Sequence, residues 1–176
     1  NDVRYGIGAL YLLVQNGAVA SGLPSGVSPR TAVGKKADGT VVFYTIDGRR
    51  SGYSIGATMT QVAQRLIEMG CTTALCLDGG GSTTLTVTEP DSTRAATVNK
   101  PSEGSERSVS NQIFLVAPNS PTGVLDHFYV SPDNPYVLAG SAVSLSANAV
   151  DTNYIPMSGQ SFTLSASAGA VSGTTL

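Results

Sequence analysis

The residues best suited to chemistry form one short run, Asp78-Gly79-Gly80-Gly81-Ser82-Thr83. It lies between two apolar stretches, Ala74 to Leu77 and Leu85 to Val87. A carboxylate at the mouth of a strand is followed by three glycines. Glycines cost chain entropy on folding and are kept where backbone must approach something closely or φ must be positive. In one reading Asp78 is the charged chemical group, and the loop amides and hydroxyls meet an anion. In the other the run is an ordinary Gly-rich turn between strands. Composition alone does not separate the two.

A second constellation lies upstream. Arg30 to Ala37 and Thr40 to Asp47 are β-prone runs separated by Asp38-Gly39, the signature of a two-residue hairpin. That register sets Ala37 opposite Thr40 and Arg30 opposite Asp47, with Cβ atoms ~5 Å apart. The pair reads equally as a cross-strand salt bridge worth at most ~1 kcal/mol or as part of a cationic cluster, Arg30 and Arg49, oriented by Asp47. Arginine at a strand end suits bidentate capture of phosphate or carboxylate. Arg107 and Asn111 precede the apolar run Gln112 to Val116, which reads as a buried strand; singly they look like loop residues. Tyr53 fits a sugar-stacking ring as well as plain packing.

The elements that must position these groups follow from local signals. Leu10 to Val14, then Asn16-Gly17, then Val19 is a hairpin pattern, because both central residues of a type I′ turn need positive φ. Ser21 to Pro29 is a Gly/Pro/Ser loop. Thr58 to Met69 is a helix: Thr58 and Gln61 make a capping box, Met59, Val62, Ala63, Leu66 and Met69 recur on one face, and Gly70 stops it. Leu85 to Thr88 is expected to pair with Ala96 to Val98. The order helix, strand, Gly-rich loop, strand excludes a P-loop or dinucleotide fingerprint, where the loop must open a helix, and no Gly-Lys-Ser/Thr is present.

Composition bounds the function. Of 176 residues only 12% are charged, about half the usual ~25%, so the surface is rich in Ser, Thr, Asn and Gly and suits an extracellular or cell-surface protein. The net charge of −2 and the lack of a Lys/Arg run argue against a nucleic-acid partner. The longest apolar run is too short to span a bilayer. Cys71 and Cys76, with one His in the chain, do not make a zinc pattern; they read as buried free thiols, with a small disulfide in an oxidising compartment as the alternative. The only His, His127, falls outside the motifs above, which disfavours a catalytic His.

Beyond Pro118 the pattern becomes Ser/Thr-rich and alternating, at His127 to Val130, Ala142 to Val150 and Phe162 to Ala166. This is a sandwich-like pattern, although about 55 residues fall short of the ~100 of a complete Ig-like domain. The expected fold is therefore α+β: a β-rich mixed sheet with one main helix (58–69) in residues 1–118, then a partial all-β Ig-like sandwich in residues 119–176.

Four motifs in order, Arg30-Thr-Ala-Val-Gly34, Asp47-Gly48-Arg49, Leu77-Asp-Gly-Gly-Gly-Ser-Thr-Thr84 and Glu106-Arg-Ser-Val-Ser-Asn111, resemble the phosphodiester glycosidase domain family over about residues 4–117. The tail resembles a bacterial Ig-like repeat. The resemblance implies cleavage of a sugar-1-phosphodiester, such as one carrying N-acetylglucosamine, at the anomeric carbon, with an exopolysaccharide or other phosphodiester-linked carbohydrate as partner. Arg30, Arg49, Arg107 and Asn111 would hold the substrate and its phosphate. The amides of Gly79, Gly80 and Gly81, with Ser82 and Thr83, would form a neutral cradle. Asp78 would be nucleophile, base or electrostatic stabiliser, and Asp47 the second acidic group, orienting the arginines. No cofactor is implied. A Ca²⁺ or Mg²⁺ held by Asp47 and Asp78 is a third reading that no EF-hand-like spacing supports. Family members carry an upstream Asn-Gly-Gly-Phe-Phe-like segment that this chain lacks, so a fragment with a companion N-terminal piece is expected. The competing class is a non-catalytic cell-surface polysaccharide-binding module.

Overall fold

A computed structural model describes residues 6–89, 92–116, 120–134 and 136–176. They separate into two compact units: Thr97–Ile113 joins the chain up to Thr86 in the first, and Val87–Ala96 joins Phe114–Leu176 in the second.

The first unit is built on a five-stranded sheet. Its strands are Tyr11–Gln15 (β1), Ala18–Val19 (β2), Arg30–Lys36 (β3), Val41–Ile46 (β4) and Cys71–Cys76 (β5), in the order β2-β1-β5-β3-β4. Every pairing in it is antiparallel, so the expected mixed sheet is corrected. Asn16 and Gly17, at φ 52° and 76°, close the β1–β2 hairpin with Gln15 opposite Ala18, as a two-residue type I′ loop requires.

One α-helix, Met59–Glu68 (α1), covers the sheet. Its capping box forms as the sequence predicts: the Gln61 amide donates to the Thr58 hydroxyl at 3.2 Å, and the Thr58 amide donates to Gln61 Oε1 at 2.9 Å. Gly70 follows with φ 90° and donates to the Ile67 carbonyl. Met59, Val62, Ala63 and Leu66 are buried against Leu13, Val14, Ala32, Cys71, Ala74 and Cys76. Each large aliphatic side chain so buried contributes roughly 1.5–3 kcal/mol. Both cysteines are buried and unbonded, and burial pushes both thiols up.

Thr86–Thr88 (β6) and Ala95–Thr97 (β7) pair as a two-stranded ribbon, close to the expected bounds. Gln112 to Val116 departs from expectation. It forms no strand, and Phe114, Leu115 and Val116 are 72%, 86% and 74% exposed. An apolar run supplies a face, but a strand also needs a neighbour for its N–H and C=O groups. Among the described residues this run has none.

The second unit corrects the remainder of the fold class. Leu125–Pro132 (β8), Leu145–Asp151 (β9) and Pro156–Met157 (β10) form one antiparallel sheet in the order β10-β9-β8. An Ig-like sandwich requires a second sheet stacked face to face at ~10 Å, and the described residues of this unit form no such sheet. Phe162 to Ala166, read as a strand, is not one. The described residues are thus mostly β with a single α-helix, and they form no Ig-like sandwich.

Candidate active site

Topology gathers the chemistry at one end of the main sheet. β3 runs antiparallel to both β4 and β5. Its first residue, Arg30, therefore lies beside the exits of β4, which leads into Asp47–Arg49, and of β5, which leads into Asp78. The Leu77 amide continues the pairing onto the Thr31 carbonyl at 2.9 Å.

The hairpin between β3 and β4 forms at Asp38-Gly39, but with a different register. Lys36 donates to the Thr40 carbonyl and Gly39, at φ 92°, to the Lys36 carbonyl. The loop has three residues, with glycine in the left-handed position. Arg30 consequently faces Ile46, and the expected Arg30–Asp47 pairing is corrected. Arg30 instead donates from Nε to the Ala57 carbonyl at 3.1 Å and from Nη2 to the Gly26 carbonyl. It ties loops together.

The Asp78 loop is a 3₁₀ turn over Gly80–Ser82. Asp78 is exposed, and its Oδ1 accepts from the Gly79 amide at 2.9 Å. Gly80 donates to the Pro29 carbonyl at 3.0 Å, Ser82 to that of Gly79 and Thr83 to that of Gly80. The amides of Gly79, Gly80, Ser82 and Thr83 are therefore already engaged within the protein. The loop therefore offers its surroundings side chains more than free amides. Thr83 is buried, with its hydroxyl 3.3 Å from that of Thr31 and its carbonyl accepting from Asn99.

The glycines make room for neighbours. A Cβ on Gly79 would stand 2.8 Å from the Pro29 carbonyl oxygen, and one on Gly80 3.2 Å from Arg49 Nη1. At Gly81 it would stand 2.5 Å from both Arg107 Cζ and Glu103 Oε1. Two guanidinium groups thus lie against the bare backbone next to Asp78. Arg49 holds φ 55°, a left-handed conformation costing a non-glycine residue roughly 1 kcal/mol or more, and donates from Nη2 to Ser28 Oγ at 3.0 Å. Arg107 donates from Nε to Glu103 Oε2 at 3.0 Å and makes a second, shorter bond from Nη2 to Oε1. Its Nη1 lies 3.5 Å from Ser82 Oγ, at the limit of a hydrogen bond. The Arg107 fork holds the Glu103 carboxyl below its ordinary value, with the charges of Arg107 and Arg49 adding to the effect.

Asp47, expected opposite Arg30, bonds instead to groups on two other segments. Its Oδ1 accepts from Asn99 Nδ2 at 2.8 Å, and its Oδ2 from the Lys100 amide at 2.9 Å and the Tyr53 hydroxyl at 3.0 Å. Partial burial opposes ionisation, but the bonds from Asn99, Lys100 and Tyr53 and the charge of Arg50 outweigh it, and the carboxyl sits below its usual range. Asp47 fastens the 99–107 segment to the sheet. Tyr53 is half of that fastening, with Lys100 Nζ 4.3 Å from its ring centroid. Beside this latch an open groove of about 500 Å³ is lined by Arg50, Asn99, Lys100 and Glu106 among others.

The sheet end therefore brings together Asp78, Gly79–Gly81, Ser82, Arg49 and Arg107. Arg30 and Asp47 adjoin them with side chains committed to structural bonds. Asn111 is exposed, and no hydrogen bond among the described residues ties it to the loop. Sequence reasoning missed Glu103 and Asn99. Glu103 sits in a Ser/Gly-rich stretch, and its four-residue spacing to Arg107 was the one available signal. His127 lies in the second unit, against Asp126, Tyr129 and Tyr154. Among the described residues, no three His, Cys, Asp or Glu side chains converge to hold a metal ion, and no helix is long and apolar enough to cross a membrane.

Comparison with known proteins gives this sheet end a context. The SPbeta prophage-derived uncharacterized protein YomE of Bacillus subtilis (strain 168) is 36% identical over 94 residues, 53% of this chain and 14% of that protein. A hypothetical protein from Synechocystis, known from its crystal structure, is 30% identical with a TM-score of 0.38, over 44% of this chain and 16% of the other. The catalytic domain of zebrafish N-acetylglucosamine-1-phosphodiester alpha-N-acetylglucosaminidase, auto-inhibited by its pro-peptide, is 22% identical with a TM-score of 0.40, over 55% of this chain and 34% of the other. The chain thus spans a minor part of the length of each of these proteins. A family model described as phosphodiester glycosidase matches residues 1–116, which include every residue of the sheet-end cluster. On that match the chain belongs to the phosphodiester glycosidase family.

Proposed function

We propose that this chain contributes the site of a hydrolase that cleaves a sugar-1-phosphodiester, releasing N-acetylglucosamine or a related sugar from a phosphodiester-linked glycan. The observation that carries this reading is the convergence of Arg49 and Arg107 on the Cβ-free backbone of Gly80 and Gly81, immediately after Asp78. A phosphodiester is a monoanion, and paired guanidinium groups recognise it through charge-assisted forks. The leaving group is a phosphate monoester, already stable as an anion, so the reaction depends less on a strong general acid than on anion binding and stabilisation of positive charge at the anomeric carbon. Asp78 has one oxygen fixed by the Gly79 amide, which leaves the other to face that carbon as nucleophile, base or electrostatic partner.

The test is release of N-acetylglucosamine from a phosphodiester substrate. Asp78→Asn should abolish it while leaving the melting temperature nearly unchanged, since Asp78 is exposed and, among the described residues, bonds only its own neighbour. Full activity in Asp78→Asn removes Asp78 from the mechanism. A wild-type chain that binds the glycan without turning it over would instead be a polysaccharide-binding module.

A further inference from the structure

Glu103 occupies the position that an incoming anion would need. Its two carboxylate oxygens lie on Nε and Nη2 of Arg107 in the parallel two-bond arrangement that arginine also offers a phosphate. Arg49 lies near enough to add its charge to the same carboxylate. The pair rests on Gly81, where no Cβ stands in the way. We propose that Glu103 is a displaceable internal anion, which holds the Arg107–Arg49 site in the unliganded protein and yields it to the phosphate of the substrate. This rests on the reading of the two arginines as a phosphate site.

Three observations make displacement feasible. Both partners are open to solvent, with side-chain exposures of 44% and 46%, so an anion reaches them without a conformational opening. Exposed ion pairs are weak because water competes with both charges. The backbone under Glu103 is also fixed independently of its side chain: Gly104 donates to the Pro101 carbonyl, which accepts from Arg50 Nη1 at 3.0 Å, and the Asp47 latch secures Asn99 and Lys100. Only the Glu103 side chain has to move. The carboxylate meanwhile keeps Arg107 extended over the loop rather than free in water, so the site is formed before substrate arrives. The alternative is a permanent pair, in which Glu103 orients Arg107 with substrate bound and its loss weakens anion binding.

The two differ in sign. The probe is dimethyl phosphate, which stays a monoanion across the neutral range, titrated into the full chain by calorimetry. Glu103→Gln removes the competing charge and should tighten binding by about fivefold, the scale of an exposed ion pair. Adding Arg107→Ala should abolish that gain. Unchanged or weaker binding in a folded Glu103→Gln variant overturns the proposal, as does a gain that survives Arg107→Ala. Turnover of the phosphodiester substrate is scored separately. A tighter Glu103→Gln variant with an inactive wild type sinks the glycosidase reading and supports displacement. An active wild type with no tightening sinks displacement alone.

Discussion

Gly81→Ala isolates the geometric role of the glycine run. The new Cβ would stand 2.5 Å from Arg107 Cζ and from Glu103 Oε1, where ordinary contact begins at 3.4 Å. Both atoms lie at the far ends of flexible, exposed side chains, so they can swing aside without moving backbone. Gly81 does not have the left-handed φ that would strain alanine. Stability should therefore barely respond, with the melting temperature shifting by no more than about 2 °C, the response of a domain of this size to roughly half a kcal/mol. Arg107 must nevertheless retreat by about 1 Å, and a misplacement on that scale can cost on the order of 100-fold in rate. Steady-state kinetics on the phosphodiester substrate should show kcat/KM lowered by about that factor. Gly8→Ala is the control, since nothing lies within 4 Å of its Cβ position and its φ is unstrained. Near-wild-type kcat/KM in Gly81→Ala would refute the idea that Arg107 acts from its place on Gly81. A large loss of stability would refute the assignment of the contact to movable side-chain ends.

Two further expectations concern acid. Asp47 has a lowered carboxyl value in the folded chain, so its contribution is complete above the ordinary value of about 4 and is lost as pH falls through the lowered one. Asp47→Asn should cost about 1–2 kcal/mol at pH 7 and flatten that part of a denaturation-against-pH curve; an unflattened curve would deny the latch. In the second unit, buried Asp151 accepts from the amides of Thr122, Asn153 and Ile155. Burial opposes its ionisation, but the three amides prevail and bring it to about 2. Asp151→Asn should remove a stabilisation that the wild type keeps above about pH 4 and loses toward pH 2, read by urea titration followed at signals of that unit.

The sequence made short-range structure legible because short-range physics determines it. Asn16-Gly17 and Asp38-Gly39 turn where left-handed glycines let the chain reverse, and the Thr58/Gln61 box starts α1 where its side chains meet the first free amides. What one residue's shift decides was not legible. A three-residue loop in place of two moved Arg30 from Asp47 to Ile46, and Asp47 was left to find partners in Asn99 and Lys100, 52 and 53 residues away. No local pattern encodes such a pairing. The tail failed for a related reason: alternation marks a strand with one dry face, but a sandwich exists only when a second sheet covers it. Gln112 to Val116 shows the same gap between having an apolar face and having a partner.

The Gly-rich loop has the further consequence that a glycine run beside an aspartate need not act through its amides. Gly79 and Gly80 direct theirs to Asp78 and Pro29, which stiffens the turn and aims the carboxylate. What the run presents outward is backbone without side chains, against which the Arg49 and Arg107 side chains pack closely. A cradle of amides would bind an anion through fixed partial charges on a rigid loop. Two guanidinium groups on separate segments would bind it through full charges whose spacing depends on what holds each segment. The turn Arg50–Ser54, closed by the bond from the Ser54 amide to the Arg50 carbonyl, supports Arg49, and the Asp47 latch supports the segment bearing Arg107. Asp47 sits between the two supports, bonded to Tyr53 on one and to Asn99 and Lys100 on the other. Asp47 can in this way set the distance between Arg49 and Arg107, the pair proposed above to hold the phosphate.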